Sequence, residues 1–318
     1  MSFICSVFFW IGFLAVVPYL ALVLYGAYYC KEQDLKKKYN AKWALVTGGS
    51  SGIGAAIVRK LASQGLNIVV VALDDQFLTS FKETIVTEFP QVTFRFVGCD
   101  LSEAQGSTYM TLIREQTDDI DVQIVCNNAG FITTGAFADI ALGRNMANYH
   151  TNVTAACLQI SHHFLNRLLD RQLKGLVTFT SSSAGFIPNP MSSLYASTKI
   201  FLTTFAASLA AEYAEDGIDV LVIHPSPIDS NFYSNAGKMS ALLSAQKLSS
   251  SPSVIADTIC RNAGKVIVSD QGLITVVMKI ITTKILDWNV FTEIMKIFLR
   301  RTGDYQAMKV RRQANKQD

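Results

Sequence analysis

Charge is missing from the start of this chain: between Met1 and Cys30 no side chain carries a formal charge. Histidine is scarce, with four in 318 residues, at His150, His162, His163 and His224. The six cysteines, Cys5, Cys30, Cys99, Cys126, Cys157 and Cys260, stand far apart and include no C-x-x-C pair. Without paired thiols or a third ligand near His162-His163, a zinc-type metal centre is not expected. Scattered thiols suit a reducing, cytosol-facing compartment. A net charge of +3 is too small a basic excess for nucleic-acid binding. There is no internal repeat, and 318 residues suffice for one α/β domain with a full core.

The uncharged start is long enough to matter, because a helix needs about 20 apolar residues to cross the hydrocarbon layer. A cleavable signal peptide is the alternative, but its apolar core spans about 7–15 residues behind a basic start, and neither feature is present. Residues 1–30 are therefore expected to form a single-pass anchor, with Pro18 as a kink and Tyr25, Tyr28 and Tyr29 in the interfacial belt. Lys31, Lys36, Lys37 and Lys38, diluted by Glu32 and Asp34, make 31–41 a basic linker. By the positive-inside bias, everything after the anchor faces the cytosol, with the folded domain against the bilayer surface.

From Trp43 the pattern alternates short apolar runs with amphipathic stretches. Strands are expected at Trp43 to Thr47, Asn67 to Leu73, Val92 to Val97, Val122 to Asn127, Gly175 to Thr180 and Ile218 to His224. Between them lie helices at Ile53 to Ser63, Phe77 to Phe89, Arg144 to Leu173 and from Tyr195 to about Glu215, which Gly217 ends. The fold class is α/β, a Rossmann-type doubly wound parallel sheet forming a single catalytic domain over 42–270. Pro225 to Pro252, containing Asn235-Ala236-Gly237, is either a substrate lid or an ordinary loop. Lys279, Lys284, Asp287, Glu293 and Lys296 interrupt the apolar 271–300 region, so it reads as amphipathic helices. These lie on the membrane, cap the pocket or simply pack on the domain. The tail, 301–318, is basic through Arg301, Lys309, Arg311, Arg312 and Lys316, and either meets anionic headgroups or is a solvated end.

Two motifs carry chemistry. The loop Thr47-Gly48-Gly49-Ser50-Ser51-Gly52-Ile53-Gly54 joins a buried strand to a helix, where glycines permit a tight turn and let a pyrophosphate approach the helix N-terminus. Tyr195 and Lys199, four residues apart in Tyr-Ala-Ser-Thr-Lys, share one helix face, so a phenol and an ammonium converge. A phenol with a reference pKa near 10 exchanges protons at neutral pH only if nearby positive charge stabilises the phenolate.

With both motifs in this order, the chain resembles the short-chain dehydrogenase/reductases of the T-G-x-x-x-G-x-G type over about Lys42 to Val268. The resemblance implies a catalytic set of Asn152, Ser182, Tyr195 and Lys199. Ser182 lies thirteen residues before Tyr195, the family's spacing, and is preferred over its neighbours Ser181 and Ser183. Asn152 would hold a water in a proton relay; the sequon Asn152-Val153-Thr154 is then accidental. The implied cofactor contacts are Gly48, Ser50, Ser51, Gly52, Ile53 and Gly54, then Asp100 and Leu101 near the adenine and Asn128-Ala129-Gly130 beside the adenosine. Tyr195 and Lys199 complete them, with Pro225 and Ile228 at the carboxamide. Where the family has P-G-x-V-x-T, this chain has Pro225-Ser226-Pro227-Ile228-Asp229-Ser230, a serine for a glycine.

The cofactor is NAD(H) or NADP(H). Asp74 and Asp75 after the second strand lean toward NAD(H), although Asp74 sits later than the family's usual selecting acid. The anchor, the Lys-x-Trp entry, Ile-Pro-x-Pro after the serine and the apolar C-terminal extension resemble a branch of that family. It holds very-long-chain 3-oxoacyl-CoA reductases and 17β-hydroxysteroid dehydrogenases of the endoplasmic reticulum. The expected activity is interconversion of a ketone and a secondary alcohol on a lipophilic substrate at the membrane. Retinol or sphingoid-base chemistry, or a catalytically silent scaffold, are the alternatives; a homodimer is implied by analogy.

Overall fold

The computed structural model describes residues 3–103, 107–233, 236, 239, 243–244 and 246–314. Seven strands form one sheet: β1 Trp43–Thr47, β2 Asn67–Ala72, β3 Phe94–Gly98, β4 Val122–Asn127, β5 Gly175–Thr180, β6 Ile218–His224 and β7 Val268–Asp270. Their order is β3-β2-β1-β4-β5-β6-β7, with every neighbouring pair parallel. The order reverses between β1 and β4, and a crevice opens beyond the strands' C-terminal ends at that reversal.

Side chains alternate across the sheet and are buried on both faces, which is why the strands read as unbroken apolar runs. On one face Ala44, Val46, Ile68 and Val70 pack with Ile57, Val58 and Leu61 of helix Gly52–Ser63 and with Ile255 and Ile259 of helix Ser253–Asn262. On the other, Leu45, Val69, Val71 and Val125 pack with Tyr109, Ile113 and Phe164.

Several elements differ from the sequence expectation. β3 starts at Phe94 because Val92 is still in a turn, its amide bonded to the Phe89 carbonyl. β7 and the helices Ser107–Glu115 and Ser253–Asn262 were not anticipated. The expected helix from Arg144 is one continuous rod of α-helix Leu142–Tyr149, a π-type stretch His150–Ser161 and α-helix His162–Asp170. Asn152 is fully buried within it, so its sequon is closed to modification.

The segment 31–41 is not a linker but part of the folded domain. Asp34 caps the short helix Leu35–Tyr39, whose Leu35 and Tyr39 are buried. Tyr39 donates to Asp219 at 2.7 Å, Lys38 pairs with the same carboxylate at 3.0 Å, and the Gln33 amide donates to the Cys260, Arg261 and Ala263 carbonyls.

Ahead of it, helix Phe3–Leu24 continues into a π-type turn, Tyr25–Tyr29. Its first part exposes Phe3, Phe9, Trp10, Ile11 and Leu14, whereas its end leans on the domain through Tyr19 and through Gly26 against Asn262. At the other terminus helix Leu273–Ile280 docks through fully buried Thr275. It leads by Ile281–Ile285 to helices Trp288–Leu299 and Gly303–Ala314. Of the 225–252 loop, Asn235 and Gly237 lie outside the described residues, and the two ends meet where Ser250 donates to Pro227 and Asp229 to Ser250. In the tail Lys316 also lies outside them.

Candidate active site

The crevice is a cleft of about 740 Å³ running from the glycine loop to the Tyr-Lys helix. At one end the loop turns on Gly48 and Gly52, whose φ of 62° and 51° fall in the left-handed region that glycine adopts freely. A Cβ on Gly54 would lie 2.0 Å from the Gly48 carbonyl oxygen, so Gly54 packs behind the turn and does not line the cleft. Gly48, Ser50, Ser51, Gly52 and Ile53 do line it, at the N-terminus of a 12-residue helix. The Thr47 hydroxyl accepts from the Asn128 and Ala129 amides at 3.0 Å each, bracing the end of β4 against the loop. Such a glycine-rich turn at a helix N-terminus fits the pyrophosphate of a dinucleotide.

Asp100, Leu101, Ala129, Gly130, Pro225 and Ile228 line the middle of the cleft. Asp74 does not: it is exposed and its side chain lies over Gly98. Asp75 lines the cleft in its place, with its carboxylate accepting from the Leu78 amide as the cap of helix Gln76–Glu88. The pull of that orphan amide fixes which of the two acids faces inward.

The reacting end is assembled from β5, the rod and helix Ser193–Glu212. Ser182 lines the cleft with Tyr195 and accepts from the Ala184 amide at 3.1 Å. Ser181, next along the chain, sends its hydroxyl to the Lys199 carbonyl at 2.6 Å. Buried Lys199 donates from Nζ to the Thr180 carbonyl at 2.8 Å, with that nitrogen 5.6 Å from the centre of the Tyr195 ring. Asn152 accepts from the Phe131 amide at 3.1 Å and donates to Thr198 Oγ1 at 3.0 Å. Its side chain is a strut between the loop after β4 and the Tyr-Lys helix.

Electrostatics here correct one expectation. Burial pushes the Tyr195 phenol above its ordinary range, and the hydrogen bond from Ser182 only partly opposes it. Burial likewise holds the Lys199 ammonium down to about 8. Desolvation is the largest cause at both groups, so the chain alone favours the protonated phenol.

Three neighbours lie outside the sequence expectation: Thr180 as the acceptor for Lys199, Thr198 as the partner of Asn152, and Phe232, whose ring lies 5.9 Å from that of Tyr195. Helical spacing from Tyr195 would have suggested Thr198; Phe232 comes from a loop without periodicity. Ser226, the departure from the family pattern, donates to the Gln271 carbonyl at 2.8 Å and meets Thr275 at 3.0 Å. Gly272, with φ of 85°, leaves the space that this hydroxyl fills. The same helix sends Ile274 and Met278 into the cleft.

A glycine cradle at the switch point and a buried Ser-Tyr-Lys group at its far end define a dinucleotide-binding α/β protein with an acid–base centre. Residues 42–241 match the short chain dehydrogenase family, and the chain belongs to it. It is 30% identical over 233 residues, 72% of this chain, to the very-long-chain 3-oxoacyl-CoA reductase of Laccaria bicolor. To hydroxysteroid dehydrogenase-like protein 1 of Gallus gallus it is 30% identical over 194 residues, 61% of this chain. The chain spans 66% and 57% of the length of those relatives. Among solved structures, a 7beta-hydroxysteroid dehydrogenase superposes with a TM-score of 0.71 at 22% identity, covering 82% of this chain and 99% of that one. A short-chain dehydrogenase from Sphingobium yanoikuyae in complex with NADPH gives 0.64 at 21% identity, covering 82% and 96%.

Proposed function

We propose that this protein is a membrane-anchored NAD(P)(H)-dependent oxidoreductase that interconverts a ketone and a secondary alcohol on a long lipophilic substrate of the 3-oxoacyl-CoA or steroid class. The observation that carries this reading is the buried Tyr195, together with Ser182 and followed one turn on by Lys199, at the end of one cleft that starts in a glycine cradle. A bound nicotinamide dinucleotide supplies the hydride for reduction. Gly48, Ser50, Ser51, Gly52 and Ile53 would hold its phosphates, Asp100, Leu101 and Asn128 to Gly130 its adenosine side, and Pro225, Ile228 and Lys199 the nicotinamide side. Ser182 donates to the substrate carbonyl oxygen, and Tyr195 gives that oxygen its phenolic proton as the carbon takes up hydride. A phenol kept protonated by burial suits that direction.

Lysine 199 is the one cation among the described residues lining the cleft, leaving nothing to pair with a 2′-phosphate, which supports NAD(H). Apolar Phe232, Ile274 and Met278 support a lipophilic substrate. The Cys5–Tyr29 stretch, with a mean hydropathy of 2.5, supports the anchor. The outward Val277, Ile281, Ile285 and Trp288 support a C-terminal region resting on the same membrane, that of the endoplasmic reticulum, with the domain in the cytosol. Exposed Leu158, Ile200 and Phe201, on the rod and the Tyr-Lys helix, support a homodimer.

The test is reduction of 3-oxoacyl-CoA, ketosteroid, retinal and 3-ketosphinganine by the purified full chain, followed by nicotinamide absorbance. Turnover of a long-chain ketone with NADH is expected; activity on small polar carbonyls alone would overturn the substrate assignment.

A further inference from the structure

Behind the reacting groups lies a second cluster that the chemistry above does not use. His224, at the end of β6, is completely buried, and its Nδ1 lies 2.6 Å from Oδ1 of Asp270 at the end of β7. The other oxygen of that carboxylate accepts from the Tyr19 hydroxyl at 2.9 Å and from Lys279 Nζ at 2.8 Å. One carboxylate therefore collects donors from the N-terminal helix, the C-terminal helix and the sheet. On the far side of the ring, His224 Nε2 lies 2.8 Å from Thr203 Oγ1, beside the Lys199 carbonyl that Ser181 also reaches. The ring of Phe186, four residues past Ser182, stands edge-on to the imidazole at 4.6 Å.

The carboxylate of Asp270 can only accept, so the ring donates to it from Nδ1. In the neutral ring Nε2 is then an acceptor, and the Thr203 hydroxyl, which lies 2.8 Å from it and 3.0 Å from the Lys199 carbonyl, is its donor. Both ring nitrogens of His224 then have a partner with the imidazole uncharged, as its burial favours.

We propose that His224 is a positioning residue of the catalytic centre. It sets the main chain at Lys199 through Thr203 and the Ser182 loop through Phe186, while Asp270 ties its orientation to the docking of both terminal helices. An imidazole is suited to this because it bridges a carboxylate and a hydroxyl with a fixed angle between its two nitrogens. The inference rests on the reductase reading above.

The test uses the full chain with His224→Phe, His224→Gln and, as the reference for chemistry, Tyr195→Phe. In His224→Phe kcat is expected to fall about 10- to 100-fold, with KM for the ketone within about twofold. His224→Gln, which keeps a polar partner for Thr203, should recover most of that rate. Amide exchange of Tyr195 to Thr203 in the cofactor-free protein should quicken about tenfold, with β2 unchanged. A wild-type kcat and wild-type exchange in His224→Phe, or a quickening spread evenly over the sheet, would overturn the proposal. If His224→Phe does not fold, Thr203→Val cuts the same link, with the same expected and overturning results. Should the wild type turn over no ketone, the reductase reading fails, while the exchange measurement still judges His224.

Discussion

The two ends of the cleft are built by opposite means. At the glycine loop the main chain itself forms the site: Gly54 lies against the Gly48 carbonyl too closely for any Cβ, and Thr47 clamps two backbone amides. At the reacting end the side chains are hung on other side chains, with Asn152 on Thr198, Ser181 on Thr203, and Thr203 on His224. A backbone site fails by steric collision and tolerates no intermediate state. A network of buried hydrogen bonds instead fails by degrees, each lost member leaving its neighbours misplaced.

The largest effect should come from removing the proton donor. Tyr195→Phe keeps the ring and its packing against Phe232, so folding and dinucleotide binding should persist while turnover falls about 10²- to 10⁴-fold. Steady-state rates beside nicotinamide fluorescence titration separate the two, and retained activity would return the silent-scaffold reading. Next is Gly54→Ala. A methyl 2.0 Å from a carbonyl oxygen forces the turn apart, and overpacking of this kind costs about 1–3 kcal/mol or more. Both the denaturation midpoint and dinucleotide affinity should drop together; loss of one without the other would show that the two ends are not built differently.

That difference also explains what was legible in the sequence. Five strands carry their pattern in their own residues: β1, β4, β5 and β6 occur at the expected positions and β2 within one residue, because burial on both faces demands unbroken apolar runs. Ser182, Tyr195 and Lys199, which line one cleft, are marked in the sequence by their spacing along one chain. Thr203, His224 and Asp270 meet only through the sheet, across separations of 21 and 46 residues, and no local signal marks them. Asp74 was misplaced for a related reason: two adjacent acids look alike, and only the capping demand of the next helix turns Asp75 inward. The basic 31–41 segment read as a linker by its lysines, yet Leu35 and Tyr39 at helical spacing bury one face of it.

A third prediction sharpens the electrostatic side of the comparison. The Lys199 ammonium is held down to about 8 by burial, so above that pH the folded chain releases a proton that the unfolded chain keeps until about 10.5. Where the unfolded state binds more protons, stability rises with pH. The burden is therefore complete below about 8 and fades toward 10.5. Lys199→Met removes it. Apart from a constant loss of the bond to Thr180, the variant should gain on the wild type at neutral pH, with the gap closing between pH 8 and 10.5 in denaturant titrations. A gap independent of pH would mean that the ammonium is solvated.

The smallest effect tests the link between the loop after β6 and the helix Leu273–Ile280. Ser226 replaces the glycine of the family pattern, and its hydroxyl joins the Gln271 carbonyl and Thr275 while Gly272 makes room for it. Neither partner belongs to the reacting group: Gln271 lies just ahead of the helix that sends Ile274 and Met278 into the cleft, and Thr275 in its first turn. Ser226→Gly therefore loses about 1 kcal/mol of hydrogen bonding, and the loosening falls on the substrate wall. Raised KM for long-chain ketones is expected with kcat held, and dinucleotide affinity should stay unchanged in the same preparation. A fall in kcat at constant KM would place Ser226 with the proposed nicotinamide contacts, Pro225 and Ile228, at the reacting end instead.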